Sequence, residues 1–196
     1  MGFLGRYGIA VLMVSVISGH TMAQNIETSS PLLSVKGQDS AAGEHVIDNA
    51  SLKEVGRGEM DWWWLTLYRA RLLTLNGTYQ QAQTPVTLEI EYYQDIPSER
   101  LLEATMDQWQ HLKLNKQRQQ RWQALLSQLW PDVTEGDTLS LHVLTPRSSQ
   151  FYFNGKPLPL LMPEGFSDDF LAIWLSAQTS QPELRQQLLG ELPCDC

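Results

Sequence analysis

The chain has 196 residues, a formal net charge of -8 and 42% hydrophobic residues. This length predicts a single domain, and the acidic balance argues against a nucleic-acid partner and against electrostatic attachment to anionic lipid. Seven tryptophans, six tyrosines and five phenylalanines indicate a large aromatic core, which could also line a ligand cavity.

The first 23 residues are predicted to be a signal peptide. Arg6 precedes an apolar stretch of about a dozen residues, and Thr21-Met22-Ala23 resembles a cleavage site. We expect export to the periplasm of a bacterium and a mature chain that begins near Gln24, without stable membrane insertion; an uncleaved anchor is the alternative. Residues 24–50 are polar and are expected to form a flexible leader.

A strand is predicted over Asp61–Thr74, because its side chains alternate between two faces. The first face carries aromatic and apolar groups, and Arg69 and Arg71 end the second. We expect the first face to line a cavity that excludes water. This face consists of Trp62, Trp64, Thr66, Tyr68, Ala70 and Leu72. The preceding segment, residues 51–60, is predicted to be a strand that is interrupted near Gly56 and Gly58, where the paired glycines indicate a bulge or a tight turn.

The remaining pattern predicts strands and helices in separate groups. Alternation predicts strands, and apolar spacings of three and four predict helices. Asn76-Gly77 and Asn154-Gly155 are typical of hairpin turns. The strands are expected at 86–93, 137–145, 150–153 and 156–161, and the helices at 98–113, 115–130, 167–175 and 180–190. This order predicts the α+β class, a mainly antiparallel sheet layered with helices.

Nucleophile triads, phosphate loops, dinucleotide motifs and zinc motifs do not occur in the sequence, so neither a cofactor nor a metal is expected. Cys194 and Cys196 lie in a short tail, residues 191–196. A disulfide between cysteines two positions apart is expected to be strained. The tail is therefore interpreted either as having no role or as serving intermolecular disulfide formation, metal capture or redox chemistry.

Polar groups on the predicted sheet are the candidates for a functional site. An arginine inside an aromatic cavity would bind a carboxylate or an enolate, and a tyrosine or threonine hydroxyl would orient that group. The alternative is that Arg69 and Arg71 form cross-strand ion pairs with Glu89 and Glu91. The candidate ligand-binding residues are Arg57, Trp64, Thr66, Tyr68, Arg69 and Tyr92.

Several short motifs follow one another in a characteristic order between residues 51 and 190. They include Gly56-x-Gly58, Leu67-Tyr68-Arg69-Ala70-Arg71-Leu72, Tyr92-Tyr93-x-x-Ile96, Trp130-Pro131-Asp132-Val133, Phe153-Asn154-Gly155, Phe170-x-x-Ile173-Trp174-Leu175 and Leu184-Arg185-x-x-Leu188-Leu189-Gly190. Together they resemble the bacterial chalcone isomerase-like family. The resemblance implies an open-faced β-sandwich over residues 51–190. Plant enzymes of this fold cyclise a chalcone with an arginine, hydroxyl groups and ordered water, whereas non-catalytic relatives bind fatty acids through an arginine and a tyrosine.

Three functions are compatible with this resemblance. Arg57 stands near the place of the plant arginine and Thr66 near that of a strand threonine, but the plant Tyr-and-Asn pair has no match. We therefore expect an exported, non-catalytic binding protein for a small amphipathic ligand such as a fatty acid. One alternative is an intramolecular lyase or isomerase acting on a carbonyl compound, which requires Arg57, Thr66 and Tyr68 to converge. The other is a structural or partner-binding protein with a filled core and no cavity above a few hundred Å³.

Overall fold

The structure is a computed structural model that describes residues 51–196, so the predicted signal peptide and leader lie outside the described residues. Six strands and four helices follow one another along this part of the chain. They are β1 (Lys53–Trp62), β2 (Leu65–Thr74), β3 (Val86–Tyr92), α1 (Ser98–His111), α2 (Lys116–Leu129), β4 (Thr138–Thr145), β5 (Ser148–Phe153), β6 (Lys156–Met162), α3 (Phe166–Leu175) and α4 (Pro182–Leu188).

The six strands form one antiparallel sheet in sequence order, β1 to β6. Each strand pairs with its neighbour along the chain, and β6, which contains two prolines, lies at an edge where fewer backbone N–H groups are needed. The α+β prediction is therefore confirmed. Among the described residues, no helix is long and apolar enough to cross a bilayer.

One face of the sheet forms the core with the helices. Leu72, Leu88, Leu141 and Phe151 are aligned across β2 to β5 and are almost fully buried. Phe166, at the start of α3, packs against the rings of Trp109, Trp122, Phe151 and Phe170. The aromatic residues counted in the sequence therefore fill this layer with their own side chains, mostly in the edge-to-face contacts that such rings favour.

Asp169 of α3 joins the first two helices to the third. The indole N–H of Trp109 (α1) donates to its backbone carbonyl at 2.9 Å, and that of Trp122 (α2) donates to its carboxylate at 2.7 Å. The guanidinium of Arg118 also contacts this carboxylate, at 2.8 Å. Two buried indoles thus find acceptors on one residue, which satisfies donors that would otherwise be costly in an apolar core.

Strand β1 runs through both glycines that were predicted to interrupt it. The strand has a register shift between Glu54 and Gly56, and it continues to Trp62. Both glycines lie against α4, where a Cβ on Gly56 would overlap the Gln187 carbonyl oxygen. The Gly-x-Gly pattern therefore serves close helix–strand packing. The strand is not interrupted, but the bulge expected at the glycines is present as the register shift beside Gly56.

Two further segments differ from the sequence-based expectation or refine it. The connection between β2 and β3 runs from Leu75 to Pro85 and is longer than the hairpin turn predicted at Asn76-Gly77. Its Thr84-Pro85 peptide bond is cis. Cys194 and Cys196 form a disulfide with each other, the pairing that was expected to be strained.

Candidate functional site

The predicted wall of tryptophans is absent from the interior. Trp63 and Trp64 form the turn between β1 and β2, and their side chains are 80% and 85% exposed. The long strand predicted over Asp61–Thr74 is therefore wrong at its beginning, since β2 starts at Leu65. The alternation of apolar residues continued across a turn that carries no glycine or asparagine, which is why the sequence pattern did not reveal it.

Arg57 lies on the face of the sheet that points away from the core. Arg57 pairs in register with Arg71, so the two side chains share a face of the sheet. Tyr68 is three positions from Arg71 on the same strand, so its side chain points to the opposite face. The Arg57 guanidinium makes two hydrogen bonds to the Glu54 carboxylate, at 2.7 and 2.9 Å. These contacts raise the pKa of Arg57 above its ordinary value, because the Glu54 carboxylate stabilises the charged guanidinium.

The two arginines of β2 form the cross-strand ion pairs given above as the alternative. Arg71 binds the Glu89 carboxylate on β3. Arg69 lies 3.0 Å from the Glu59 carboxylate and 3.9 Å from that of Glu91, and its guanidinium lies over the Tyr93 ring. The predicted ligand arginine Arg69 is thus held between two carboxylates on the outer face of the sheet.

Tyr68 and Tyr92 are the predicted candidates that point into the core. Their rings contact each other edge to face across β2 and β3, with centroids 6.1 Å apart. The indole N–H of Trp174 (α3) donates to the Tyr68 hydroxyl at 3.1 Å. Burial raises the pKa of Tyr68 to about 12, and burial also raises the pKa of Tyr92. Neutral, packed phenols of this kind stabilise the core.

The predicted residues therefore do not converge on one point. The hydroxyl of Thr66 donates to Asp61 at 2.7 Å in the exposed hairpin, whereas the Tyr68 hydroxyl accepts from Trp174 in the core. Arg57 is on the other face of the sheet. The convergence of Arg57, Thr66 and Tyr68 that a lyase or isomerase site requires is not present.

A groove of about 900 Å³ opens at the other end of the sheet. Its floor includes Val86 and Val143, which are aligned on β3 and β4 on the core face. Helix α3 and the end of α4 form one wall, and the β2–β3 connection forms the other. The lining residues include Tyr79, Gln81, Thr84, Val86, Val143, Ser167, Asp168, Leu171, Ala172, Leu175, Gln178, Arg185, Leu189 and Glu191.

Arg185 is the basic residue among those that line this groove. Its Nε–H donates at 3.0 Å to the carbonyl of Leu175, the last residue of α3. This contact places a cation at a helix C-terminus, where the helix dipole favours positive charge. The nearest carboxylate, Glu191, is 3.9 Å from Nη1 and is half exposed. The guanidinium is therefore oriented by α3 and has only a loose ion pair.

Arg185 was not among the predicted site residues. It appears in the Leu184-Arg185-x-x-Leu188 motif, and its position between buried leucines of an amphipathic helix was the available signal. Its proximity to Val86 and Val143 depends on contacts distant in sequence.

Within residues 51–196, no group of three or more His, Cys, Asp or Glu side chains is arranged to hold a metal ion.

Comparisons with known proteins agree with the architecture. A family model described as chalcone isomerase-like matches residues 41–190. An uncharacterised protein of Haemophilus influenzae is 27% identical over 142 residues, which are 72% of this chain and 70% of that protein. The crystal structure of a fatty-acid binding protein of Arabidopsis thaliana superposes with a TM-score of 0.54 and 11% identity, over 72% of this chain and 88% of that one.

Proposed function

This chain belongs to the chalcone isomerase-like family, and from that premise we propose that it is an exported, non-catalytic binding protein for a small amphipathic ligand such as a fatty acid. The ligand lies in the groove between α3, α4 and the sheet. The observation that carries the proposal is an oriented guanidinium, Arg185, beside an apolar floor.

The groove has the size and chemistry that this ligand class requires. Its volume, about 900 Å³, is within the range of small-molecule sites. Above the buried Val86 and Val143, the half-buried side chains that an alkyl chain can contact are Tyr79, Ala172, Leu175 and Leu189. Arg185 supplies a charged donor for the head group. The fatty-acid binding protein with the same fold supports this ligand class.

The lyase or isomerase alternative has less support. Electrophilic catalysis on a carbonyl needs a donor and a proton relay that reach one reacting atom. Arg57, Thr66 and Tyr68 are each engaged elsewhere, with Glu54, Asp61 and Trp174. The filled-core alternative fits the layer beneath the central strands, but it requires that the groove remain empty.

The ligand proposal predicts a head-group preference. The protein should gain thermal stability and a ligand-bound mass in native mass spectrometry with decanoic acid, less with decanol, and least with decylamine. The reason is that Arg185 makes a charge-assisted bond only to the acid. Thermal shifts should grow with ligand concentration, because the ligand binds the folded state alone.

Two variants locate the head group. Arg185→Gln should weaken decanoic acid binding by about tenfold or more, since a charged hydrogen bond is lost. Arg57→Gln is the matched control and should leave the affinity unchanged. Ligand-induced shifts are compared within each variant, because Arg185 also holds the end of α3. A loss confined to Arg57→Gln, a preference for decylamine, or no binding of any of the three compounds would contradict the proposal.

Export is proposed from the first 23 residues. Periplasmic fractionation and N-terminal sequencing test it, and we expect a mature chain that begins near Gln24. Recovery of the chain from the cytoplasm with Met1 retained would contradict this localisation.

A further inference from the structure

The turn between β1 and β2 exposes four consecutive large apolar residues, Trp62 to Leu65, which we call the tryptophan tip. Trp62 is 41% exposed and Leu65 is 37% exposed, and the two indoles between them are far more exposed. Trp63 and Trp64 contact each other edge to face, with centroids 5.6 Å apart. A run of exposed apolar residues this long is unfavourable in water and marks an interaction surface.

The backbone of the tip adds an independent observation. Trp63 has a φ of 60°, in the left-handed region that bulky residues avoid and that glycine or asparagine usually occupies in tight hairpins. The Asn154-Gly155 turn of this chain uses those residues, with φ values of 49° and 74°. The tip therefore keeps an indole where the fold alone would favour glycine, which indicates a role outside the fold.

Charge and shape indicate the partner. Residues 59–68 contain two carboxylates and neither lysine nor arginine, and Arg69, which follows them, is held by Glu59 and Glu91. The tip therefore offers no cation to an anionic head group. It is a convex projection, whereas anchors in protein interfaces fill pockets within a broad, matched surface. Indole side chains favour the boundary between lipid and water, which accepts a convex apolar tip without a pocket.

We propose that the tryptophan tip inserts into the interface of an electrically neutral lipid bilayer and attaches the domain peripherally. The tip and the groove lie at opposite ends of the sheet, since β2 runs from Leu65 to Thr74 and Thr74 is aligned with Val86. Membrane attachment is therefore independent of the ligand proposal, and either one can fail without the other.

Quenching of tryptophan fluorescence by brominated phosphatidylcholine vesicles tests this proposal with the mature chain from Gln24. The apolar first 23 residues are left out because they would attach the chain to the vesicles by themselves and bring the tip to the bilayer. The four tryptophans outside the tip are buried, with at most 8% of each exposed, so quenching reports the tip; they are Trp109, Trp122, Trp130 and Trp174. We expect quenching of the wild-type chain, which requires contact between the indoles and the acyl chains.

Two sets of variants make the test specific. Trp63→Gly with Trp64→Ala removes two of the fluorescent reporters, so its attachment is measured by co-sedimentation with the same vesicles. It should lose the co-sedimentation that the wild-type chain shows, while unfolding at the same or a higher temperature, because glycine accepts the positive φ. Leu160→Ser with Leu161→Ser removes exposed apolar residues from β6 and should retain it. Groove variants such as Arg185→Gln should also retain it.

Four results would overturn the proposal. They are no quenching of the wild-type chain, equal co-sedimentation of the Trp63→Gly and Trp64→Ala variant with the vesicles, attachment that requires anionic lipid, and self-association in solution that disappears in that variant without any vesicle binding.

Discussion

Gly56→Ala is expected to destabilise the protein by about 3 kcal/mol or more, because the added methyl group meets backbone atoms that cannot move aside. A Cβ at this position would overlap the carbonyl oxygen of Gln187 and lie 2.9 Å from both the Leu188 oxygen and the Gly190 nitrogen. Helix α4 would have to move away from β1. Chemical denaturation followed by circular dichroism measures the change in the free energy of unfolding.

Gly155→Ala provides the matched control. Gly155 has a φ of 74°, and no atom lies within 4 Å of the place that a methyl group would take, so the substitution costs only backbone strain, about 1 kcal/mol. Similar losses for the two variants would mean that close packing of α4 on β1 does not limit position 56.

Asp169→Ala is expected to cost about 2–3 kcal/mol, because the buried indole N–H of Trp122 loses its acceptor. The ion pair with Arg118 contributes less, since that guanidinium is nearly half exposed. Asp169→Asn should therefore cost much less than the alanine variant, because an amide oxygen still accepts from Trp122. Thermal and denaturant unfolding of both variants test this order.

Asp168→Ala is the control for Asp169. Asp168 is an exposed neighbour in the first turn of α3, so its loss removes only a favourable interaction with the helix dipole, about 0.3–1 kcal/mol. A loss for Asp168→Ala equal to that for Asp169→Ala would assign the effect to the helix dipole and would contradict the role of the indole hydrogen bond.

The sequence was informative where side-chain periodicity or a capping residue marked an element. The alternation in Val86–Tyr92 and the three-to-four spacing in α1 correctly predicted a strand and a helix. Asn115 was correctly expected to begin α2, where its side chain accepts from the backbone of Gln117 at 2.8 Å. These features follow from side-chain periodicity and local hydrogen bonding.

The candidate site was difficult to predict because it depends on distant contacts. The alternating pattern placed Trp64 on the face of Tyr68, but the turn at Trp63 moved it into solvent. The bulge near Gly56 and the pairing with β2 decide which face carries Arg57. The groove arises where the β2–β3 connection meets α3 and α4, and no local pattern in the sequence specifies that meeting.

Amide and methyl NMR of the isotopically labelled protein during a titration with decanoic acid tests the groove assignment most directly. The account predicts saturable shifts concentrated at Val86, Val143, Leu171 and Ala172, together with the Arg185 side chain. An absence of saturable shifts, or shifts concentrated at Arg57, Tyr68 and Tyr92, would contradict it.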